Sequence, residues 1–156
     1  MRVLTVAAHP DDETLGAGGT MARLAAAGHE VAVCILADGA TARHSYKDLQ
    51  RLCAERAAAV LGVHQIQFCD FPDQRLDTMP LIDVTAPIEK CVAEFEPEMV
   101  LTHFAQDVNQ DHRVTFAATM IAARPVPGTS VRSLLCFEVP SSTEWAAPFP
   151  GSVFAP

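Results

Sequence analysis

Short apolar segments alternate with longer segments of helix-forming residues along this chain. The apolar segments are continuous, which is typical of strands buried on both faces of a parallel sheet. Two helix-like segments close at a glycine, Gly28 and Gly62, a residue that commonly ends a helix. The pattern predicts an α/β domain with a mainly parallel, doubly wound sheet. The predicted strands are Val3–Ala8, Val31–Ala37, Gln65–Phe71, Met99–Phe104 and Val131–Val139, and the predicted helices are Thr14–Ala27, Lys47–Leu61, Leu81–Phe95 and His112–Arg124.

Pro87 falls inside the third predicted helix. Two interpretations are open. Either the helix continues through the proline with a kink, or it begins near Thr85, which places the proline in the first turn where it is tolerated.

The composition is that of a globular protein. The chain has 156 residues, about one domain, and its 49% hydrophobic and 19% charged residues suffice for a packed core. The net charge of −8 and the lack of a Lys/Arg run argue against nucleic-acid binding. The apolar segments are too short to cross a bilayer, and the N-terminal residues open directly into a strand. We therefore expect neither a nucleic-acid nor a membrane partner.

The five cysteines are widely spaced and form no CxxC pair. Most of them, such as Cys34, lie in apolar segments. This usage is typical of a reduced, cytoplasmic protein with buried thiols.

Polar clusters follow four of the predicted strands, at residues 9–13, 38–44, 72–77 and 106–112. In doubly wound sheets, ligands bind beyond the carboxyl ends of the strands. Each cluster alone could be an ordinary solvated loop, but the four together predict one convergent site.

The first cluster, His9-Pro10-Asp11-Asp12-Glu13, carries the clearest chemistry. His9 and Asp12 are three residues apart, so both side chains can face one point where the loop enters the helix. An imidazole and a carboxylate together suit a divalent metal such as zinc. Asp11 would then point elsewhere and could act as a general base. The alternative is a helix-capping turn whose carboxylates face the positive end of the helix dipole.

A catalytic zinc commonly has three protein ligands, so the metal interpretation needs a third one. His112 follows Asp111 at a predicted helix start beyond the fourth strand, and it is the best placed to meet His9. His103 lies within the fourth strand and could instead be a hydrogen-bonded histidine of the core.

Preceded by Ala8, the first cluster reads AHPDDE, which resembles the signature of the LmbE/PIG-L family of zinc-dependent N-deacetylases. Residues 102–112 (THFAQDVNQDH) resemble the second metal motif of the family, which ends in Asp-His. Segments 36–39 and 71–73 also match in order, so the resemblance covers nearly the whole chain.

The resemblance implies a Rossmann-like three-layer sandwich with a metal site of His9, Asp12 and His112. Asp11 would be the general base, and later the acid that protonates the leaving amine. The implied cofactor is Zn²⁺, with Fe²⁺ or another divalent metal as alternatives. The implied reaction hydrolyses the acetamide of an amino sugar, typically an N-acetylglucosamine-type conjugate, to a free amine and acetate. The expected partner is therefore a small-molecule amino sugar.

The chain departs from the family pattern at Asn109, where many members carry a histidine that stabilises the intermediate. Asn109 could donate a neutral hydrogen bond to the developing oxyanion, His103 could take over, or activity could be weak. A turn residue with a left-handed backbone is another interpretation of Asn109. Asp111 loses its expected imidazole partner and could orient a ligand histidine instead.

Three further residues are candidates for substrate contact. Arg43 lies where family members often hold a substrate-binding arginine, and its guanidinium suits sugar hydroxyls or a phosphate, although a solvated loop residue is an equal alternative. Asp107 could hydrogen-bond a sugar hydroxyl or support His112. Asp73 also lies at a strand end and could do the same, although a role in the turn is the favoured interpretation.

Two other functions are alternatives to deacetylation. A dinucleotide-binding oxidoreductase requires GxGxxG directly after the first strand, whereas this loop is acidic and Gly16, Gly18 and Gly19 come too late. Those glycines could instead allow close helix–sheet packing or leave room for a substrate. A non-catalytic or degenerate sugar-binding member of the same fold is the stronger alternative, although a binder has no need of Asp11.

Six of the 11 prolines lie between Pro125 and Pro156. Family members usually continue beyond such a segment into further helix and strand. We therefore expect residues 1–156 to form a single deacetylase-like domain with a truncated or shortened C-terminal part. The apolar C-terminal residues could also cover a contact in a homo-oligomer.

Overall fold

A computed structural model describes residues 1–39 and 46–146 of the chain. Strands and helices alternate through these residues, with short 3₁₀ helices at Leu76–Thr78 and Thr143–Trp145. The strands are β1 (Arg2–Ala7), β2 (Glu30–Ala37), β3 (Gln65–Phe71), β4 (Met99–His103) and β5 (Ser133–Phe137), and the helices are α1 (Asp12–Ala26), α2 (Lys47–Leu61), α3 (Leu81–Phe95) and α4 (Gln110–Ala122).

The strands form one sheet in the order β3-β2-β1-β4-β5, and each neighbouring pair in it is parallel. Parallel neighbours require crossover connections, which the helices supply. α1 and α2 pack on one face of the sheet, and α3 and α4 pack on the other. The predicted doubly wound, three-layer α/β architecture is confirmed.

β1 is buried on both faces because it lies between two hydrophobic cores. Leu4 and Val6 pack in the core under α3 and α4, whereas Val3 and Ala7 pack in the core under α1 and α2. Successive side chains of a strand point to opposite faces, so a strand covered on both sides needs apolar residues at nearly every position. This requirement explains the continuous apolar segments of the sequence.

The sheet order reverses beside β1. The next strand along the chain, β2, pairs with one edge of β1, and β4 pairs with the other edge. The carboxyl ends of β1 and β4 therefore form the topological switch point at which doubly wound sheets bind their ligands. α1 and α4 begin just beyond these two strands.

Several boundaries differ from the predictions, while α2, β3 and α3 have the predicted bounds. α1 begins at Asp12 instead of Thr14, and α4 begins at Gln110 instead of His112. β1 is shifted by one residue, and β5 is shorter than the predicted Val131–Val139. Both helices start earlier because the backbone of the polar residues in front of them already makes the first hydrogen bonds of each helix.

α3 continues through Pro87, its seventh residue, so the alternative start near Thr85 is wrong. The prediction of buried thiols holds for Cys34 and Cys91, whereas Cys53 is exposed. No helix among the described residues is long and apolar enough to cross a membrane.

Candidate active site

A cavity of about 660 Å³ opens at the switch point. Each of the four predicted polar clusters contributes to its walls, through His9 to Asp12, Gly39, Asp73 with Gln74, and Val108 to Gln110 with His112. Residues that follow β5, including Ser142, close another side. The sequence-based expectation of one convergent site is thus realised by the fold.

His9, Asp12 and His112 meet in this cavity. Asp12 Oδ2 lies 3.1 Å from His9 Nδ1 and 3.2 Å from His112 Nε2. The backbone N–H of His9 also donates to Asp12 Oδ2 at 2.9 Å, which locks the three-residue spacing into one geometry. All three side chains are buried, and one donor atom from each lies within 4.8 Å of the others.

This donor set fits a divalent metal ion. One carboxylate oxygen and two imidazole nitrogens are the ligands that catalytic zinc and related ions use. His112 Nε2 is buried and lies 3.2 Å from Asp12 Oδ2, but it has no partner with hydrogen-bond geometry within the described residues, as expected of an atom that faces a ligand shared with Asp12.

The electrostatics of the cluster favour positive charge at the same point. Burial opposes protonation of His9, but its carboxylate neighbours outweigh burial and raise its pKa to about 12. Burial likewise opposes protonation of His112, whereas Asp107 and Asp12 raise its pKa to about 9. The imidazoles hold the pKa of Asp12 far below its usual range against the effect of burial. A divalent cation would supply this charge without protons on the histidines.

Two more carboxylates contact the other ring nitrogen of His9, Nε2. Its Nε2 lies 3.1 Å from Asp111 Oδ2 and 3.1 Å from Asp73 Oδ1. Asp111 is fully buried and also accepts the backbone N–H groups of Gln74 at 2.8 Å and Leu76 at 3.1 Å. These contacts support the expectation that Asp111 orients a ligand histidine, because they leave His9 Nδ1 facing Asp12.

Asp107 supports His112 in a similar way. Its Oδ2 lies 3.2 Å from His112 Nδ1 and accepts the hydroxyls of Ser142 at 2.9 Å and Thr143 at 2.7 Å. Asp107 is fully buried, which speaks against the alternative contact with a sugar hydroxyl. The Asp107 carboxylate therefore links the segment after β5 to the cluster of His9, Asp12 and His112.

His103 is a core histidine behind the cluster. It is fully buried, its ring centroid lies 3.9 Å from that of His112, and its Nε2 accepts the backbone N–H of Ala8 at 2.9 Å. Burial lowers its pKa to about 3, so the ring is neutral. His103 is not among the residues that line the cavity, which argues against its replacing the missing family histidine.

Asn109 lines the cavity and is the N-cap of α4. Its Oδ1 accepts the backbone N–H of Asp111 at 2.9 Å, so the amide Nδ2 is the side available to a ligand. Its backbone is extended, with φ −72° and ψ 126°, and the left-handed interpretation is wrong.

Asp11 also lines the cavity and keeps solvent exposure, in contrast to the buried Asp12. Partial burial and the negative charge of Asp12 raise the pKa of Asp11 to about 6. The two adjacent carboxylates thus occupy different environments, as the sequence interpretation required.

Arg43 lies outside the described residues. Asp73 was a candidate because of its place at the end of the third strand, and its carboxylate contacts His9 Nε2. Ser142 and Thr143 were not among the predicted site residues, although both support the cluster through Asp107. Ser142 and Thr143 follow the last strand at a distance that no local pattern specifies.

The fold and the site together define an α/β domain that carries a His–Asp–His cluster of metal-binding type at its switch point. Comparison with known proteins gives the particular family. The model of the PIG-L family, described as GlcNAc-PI de-N-acetylase, matches residues 4–123, and the chain belongs to this family.

Two relatives illustrate the similarity. A protein described as an uncharacterised deacetylase from Escherichia coli (strain K12) is 30% identical over 145 residues, covering 90% of this chain and 75% of its own length. The 1D-myo-inositol 2-acetamido-2-deoxy-alpha-D-glucopyranoside deacetylase of Thermobifida fusca is 30% identical over 165 residues, covering 82% of this chain and 58% of its own length.

Solved structures share the same fold. The N,N'-diacetylchitobiose deacetylase of Pyrococcus horikoshii superposes with a TM-score of 0.71 and 26% identity, covering 83% of this chain and 52% of that one. The 4-carboxy-2-hydroxymuconate hydratase of Pseudomonas putida KT2440 gives the same TM-score of 0.71 and 26% identity, covering 83% and 59%. The chain thus spans between about half and three quarters of these four proteins.

Proposed function

We propose that this protein is a metal-dependent N-deacetylase that removes the acetyl group of an N-acetylated amino sugar of the N-acetylglucosamine type. The observation that carries the proposal is the convergence of His9, Asp12 and His112 around one point of a cavity, with Asp11 beside it. Family membership supports the acetamide as the bond that is hydrolysed. The inositol-glucosaminide and chitobiose deacetylases among the similar proteins support the sugar class.

His9 Nδ1, an oxygen of Asp12 and His112 Nε2 would hold the metal, with Zn²⁺ as the first candidate and Fe²⁺ or another divalent ion as alternatives. When bound, such an ion polarises an amide carbonyl and lowers the pKa of water. Asp111 and Asp107 would fix the two ligand imidazoles through their remaining nitrogens.

Asp11 would carry the proton transfers. As a carboxylate it accepts a proton from the water that attacks the acetamide carbon, and it returns this proton to the departing amine nitrogen. The Nδ2 group of Asn109 would donate a neutral hydrogen bond to the oxyanion that develops on the carbonyl oxygen. Asn109 has the donor that this role needs but lacks the charge of the histidine found in many family members.

The test is release of acetate from a small panel that contains an N-acetylglucosaminyl inositol and diacetylchitobiose. We expect activity that is lost on chelation and restored by Zn²⁺, and that falls by roughly 10²- to 10⁴-fold in Asp11→Asn. Asp83→Asn is the matched control, because this exposed aspartate lies in the first turn of α3. Full activity in Asp11→Asn would remove the base assignment.

Two alternatives are separated by the same assay. A non-catalytic or degenerate sugar-binding member would bind metal and sugar, as seen by calorimetry, without releasing acetate. The similarity to a hydratase shows that this fold also carries addition of water to a substrate that is not an acetamide. Hydration of an unsaturated tricarboxylate without any acetate release from the sugars would favour that activity instead.

A further inference from the structure

Asp11 occupies the N-cap position of α1, where an aspartate commonly uses its carboxylate to accept an N–H of the first helical turn. Here the carboxylate makes no such bond. The backbone of Asp11 has φ 153° and ψ −30°, a conformation that residues with a side chain rarely adopt. Another interaction must therefore stabilise this backbone conformation of Asp11 and keep its carboxylate away from the N–H groups of the first turn of α1.

Glu13 makes the contact that does so. Its Oε2 accepts the backbone N–H of Asp11 at 3.0 Å, an N–H that also lies 3.0 Å from the carbonyl oxygen of His9. Its Oε1 accepts the hydroxyl of Thr14 at 2.8 Å. Glu13 is only 3% exposed although it is a carboxylate, and both of its oxygens are thus used inside the protein.

This arrangement is one half of a capping box. In the usual box the third helical residue accepts the N–H of the N-cap residue, while the N-cap side chain caps the helix in return. In α1 the second helical residue, Glu13, supplies the first bond, and the return bond from Asp11 is missing. The carboxylate of Asp11 is consequently available to the cavity that Asp11 lines.

We propose that Glu13 is a positioning residue for the reaction: its bond to the Asp11 N–H holds the Asp11 carboxylate in the cavity and prevents it from capping α1. The inference rests on the proposed role of Asp11 as the base. Glu13 does not line the cavity, so it acts through Asp11 and not on the substrate.

The test compares two replacements of Glu13. Glu13→Met has similar length but no acceptor, and we expect kcat to fall roughly 10- to 100-fold while KM and bound metal stay within twofold. Glu13→Gln keeps an acceptor for the Asp11 N–H and can donate its amide to the Thr14 oxygen, so kcat should remain within about threefold of the parent. Rescue by Gln distinguishes a lost acceptor from a lost charge.

A double-mutant cycle isolates the route of action. If Glu13 acts through Asp11, adding Glu13→Met to Asp11→Asn should change the residual kcat by less than twofold. A crystal structure of Glu13→Met should show the Asp11 carboxylate within hydrogen-bonding distance of a backbone N–H in the first turn of α1. A full multiplicative loss in the double variant, or an unmoved carboxylate with unchanged kcat, would overturn the proposal.

Glu13→Asp provides a second variant if Glu13→Met does not fold. It preserves the charge but shortens the reach by one methylene, so kcat should fall as in the Met variant. Unchanged kcat in Glu13→Asp would likewise contradict the inference. Loss of activity in Asp11→Asn together with full activity in Glu13→Met refutes the positioning role alone. Full activity in Asp11→Asn removes the base assignment on which the positioning role rests, whereas no acetate release from any sugar by the metal-loaded parent protein refutes the proposed function itself.

Discussion

Gly16 lies at the closest approach of α1 to the end of β5. A methyl group added there would stand 2.4 Å from Cδ2 of Phe137 and 3.0 Å from the carbonyl oxygen of Glu138. Gly19, one turn further along the same helix, would place the same methyl group in open space with no atom within 4 Å. The two glycines therefore differ in their surroundings while sharing the helix and the chemistry of substitution.

The structure determines the sign and approximate size of the change in the free energy of unfolding that each glycine-to-alanine substitution causes. Gly19→Ala should stabilise the protein by about 0.5–1 kcal/mol, since alanine favours a helix interior over glycine. Gly16→Ala gains the same stabilisation from the helix propensity of alanine, but the overpacking against Phe137 costs about 1–3 kcal/mol. The ring of Phe137 has little room to move, because its centroid lies 4.8 Å from that of the buried His103. The difference between the variants therefore isolates the clash.

The assay is thermal and urea-induced unfolding of the two variants and the parent. A difference of about 1–3 kcal/mol should separate the Tm values of Gly16→Ala and Gly19→Ala by about 2–12 °C for a chain of this size. Equal urea m-values would show that the same cooperative unit unfolds in both. If Gly16→Ala proves as stable as Gly19→Ala, the close packing of α1 on β5 is not as described.

Three further predictions concern the candidate site. Asn109→Ser should keep the N-cap and leave the free energy of unfolding within about 0.5 kcal/mol, whereas Asn109→Ala should lose about 1 kcal/mol; both should lower kcat/KM because both remove the amide donor, and a kcat/KM within twofold of the parent in Asn109→Ala would contradict the oxyanion role. Asp107→Asn should weaken Zn²⁺ binding about 10- to 100-fold in competition with a chelator, because the support of His112 Nδ1 loses its charge; unchanged affinity would assign Asp107 to loop anchoring only. In the metal-free protein, the raised pKa values of His112 (about 9) and His9 (about 12), against 6.5 for a free histidine, mean that the folded state holds more protons than the unfolded state above pH 6.5. The stability that these two groups contribute is full below pH 6.5 and falls as the pH rises towards 9, by about 1.4 kcal/mol per pH unit at most for each group. Saturating Zn²⁺ should flatten this Tm-versus-pH profile, and a metal-free Tm that rises with pH over this range would refute the electrostatic argument.

The position of Asp73 shows how much of the candidate site can be predicted from the sequence. Its place at the end of a predicted strand put it near the ligand-binding edge of the sheet, as it did for the other polar clusters. Its contact with His9 Nε2 at 3.1 Å depends on how the loop after β3 is anchored by Asp111, and Asp111 lies 38 residues further along the chain. Such a contact is created by packing, and no local pattern encodes it.

Asn109 and His103 illustrate the same limit in another way. Both had two interpretations in the sequence, because a side chain type alone does not reveal its hydrogen-bond partners. The N-cap bond to Asp111 excludes a left-handed Asn109, and the bond from the Ala8 N–H together with full burial makes His103 a core residue. In each case the deciding partner is a backbone N–H whose position follows from the fold.

The sequence by itself determined the alternation of strands and helices and the motif that brings His9 and Asp12 to one point, because periodicity and a three-residue spacing are local properties. The contacts of His9 with Asp73 and Asp111, and those of Asp107 with Ser142 and Thr143, were decided only by the tertiary structure. These features join residues that are distant in the chain, and their bonds form only when the sheet order places the ends of β1 and β4 side by side.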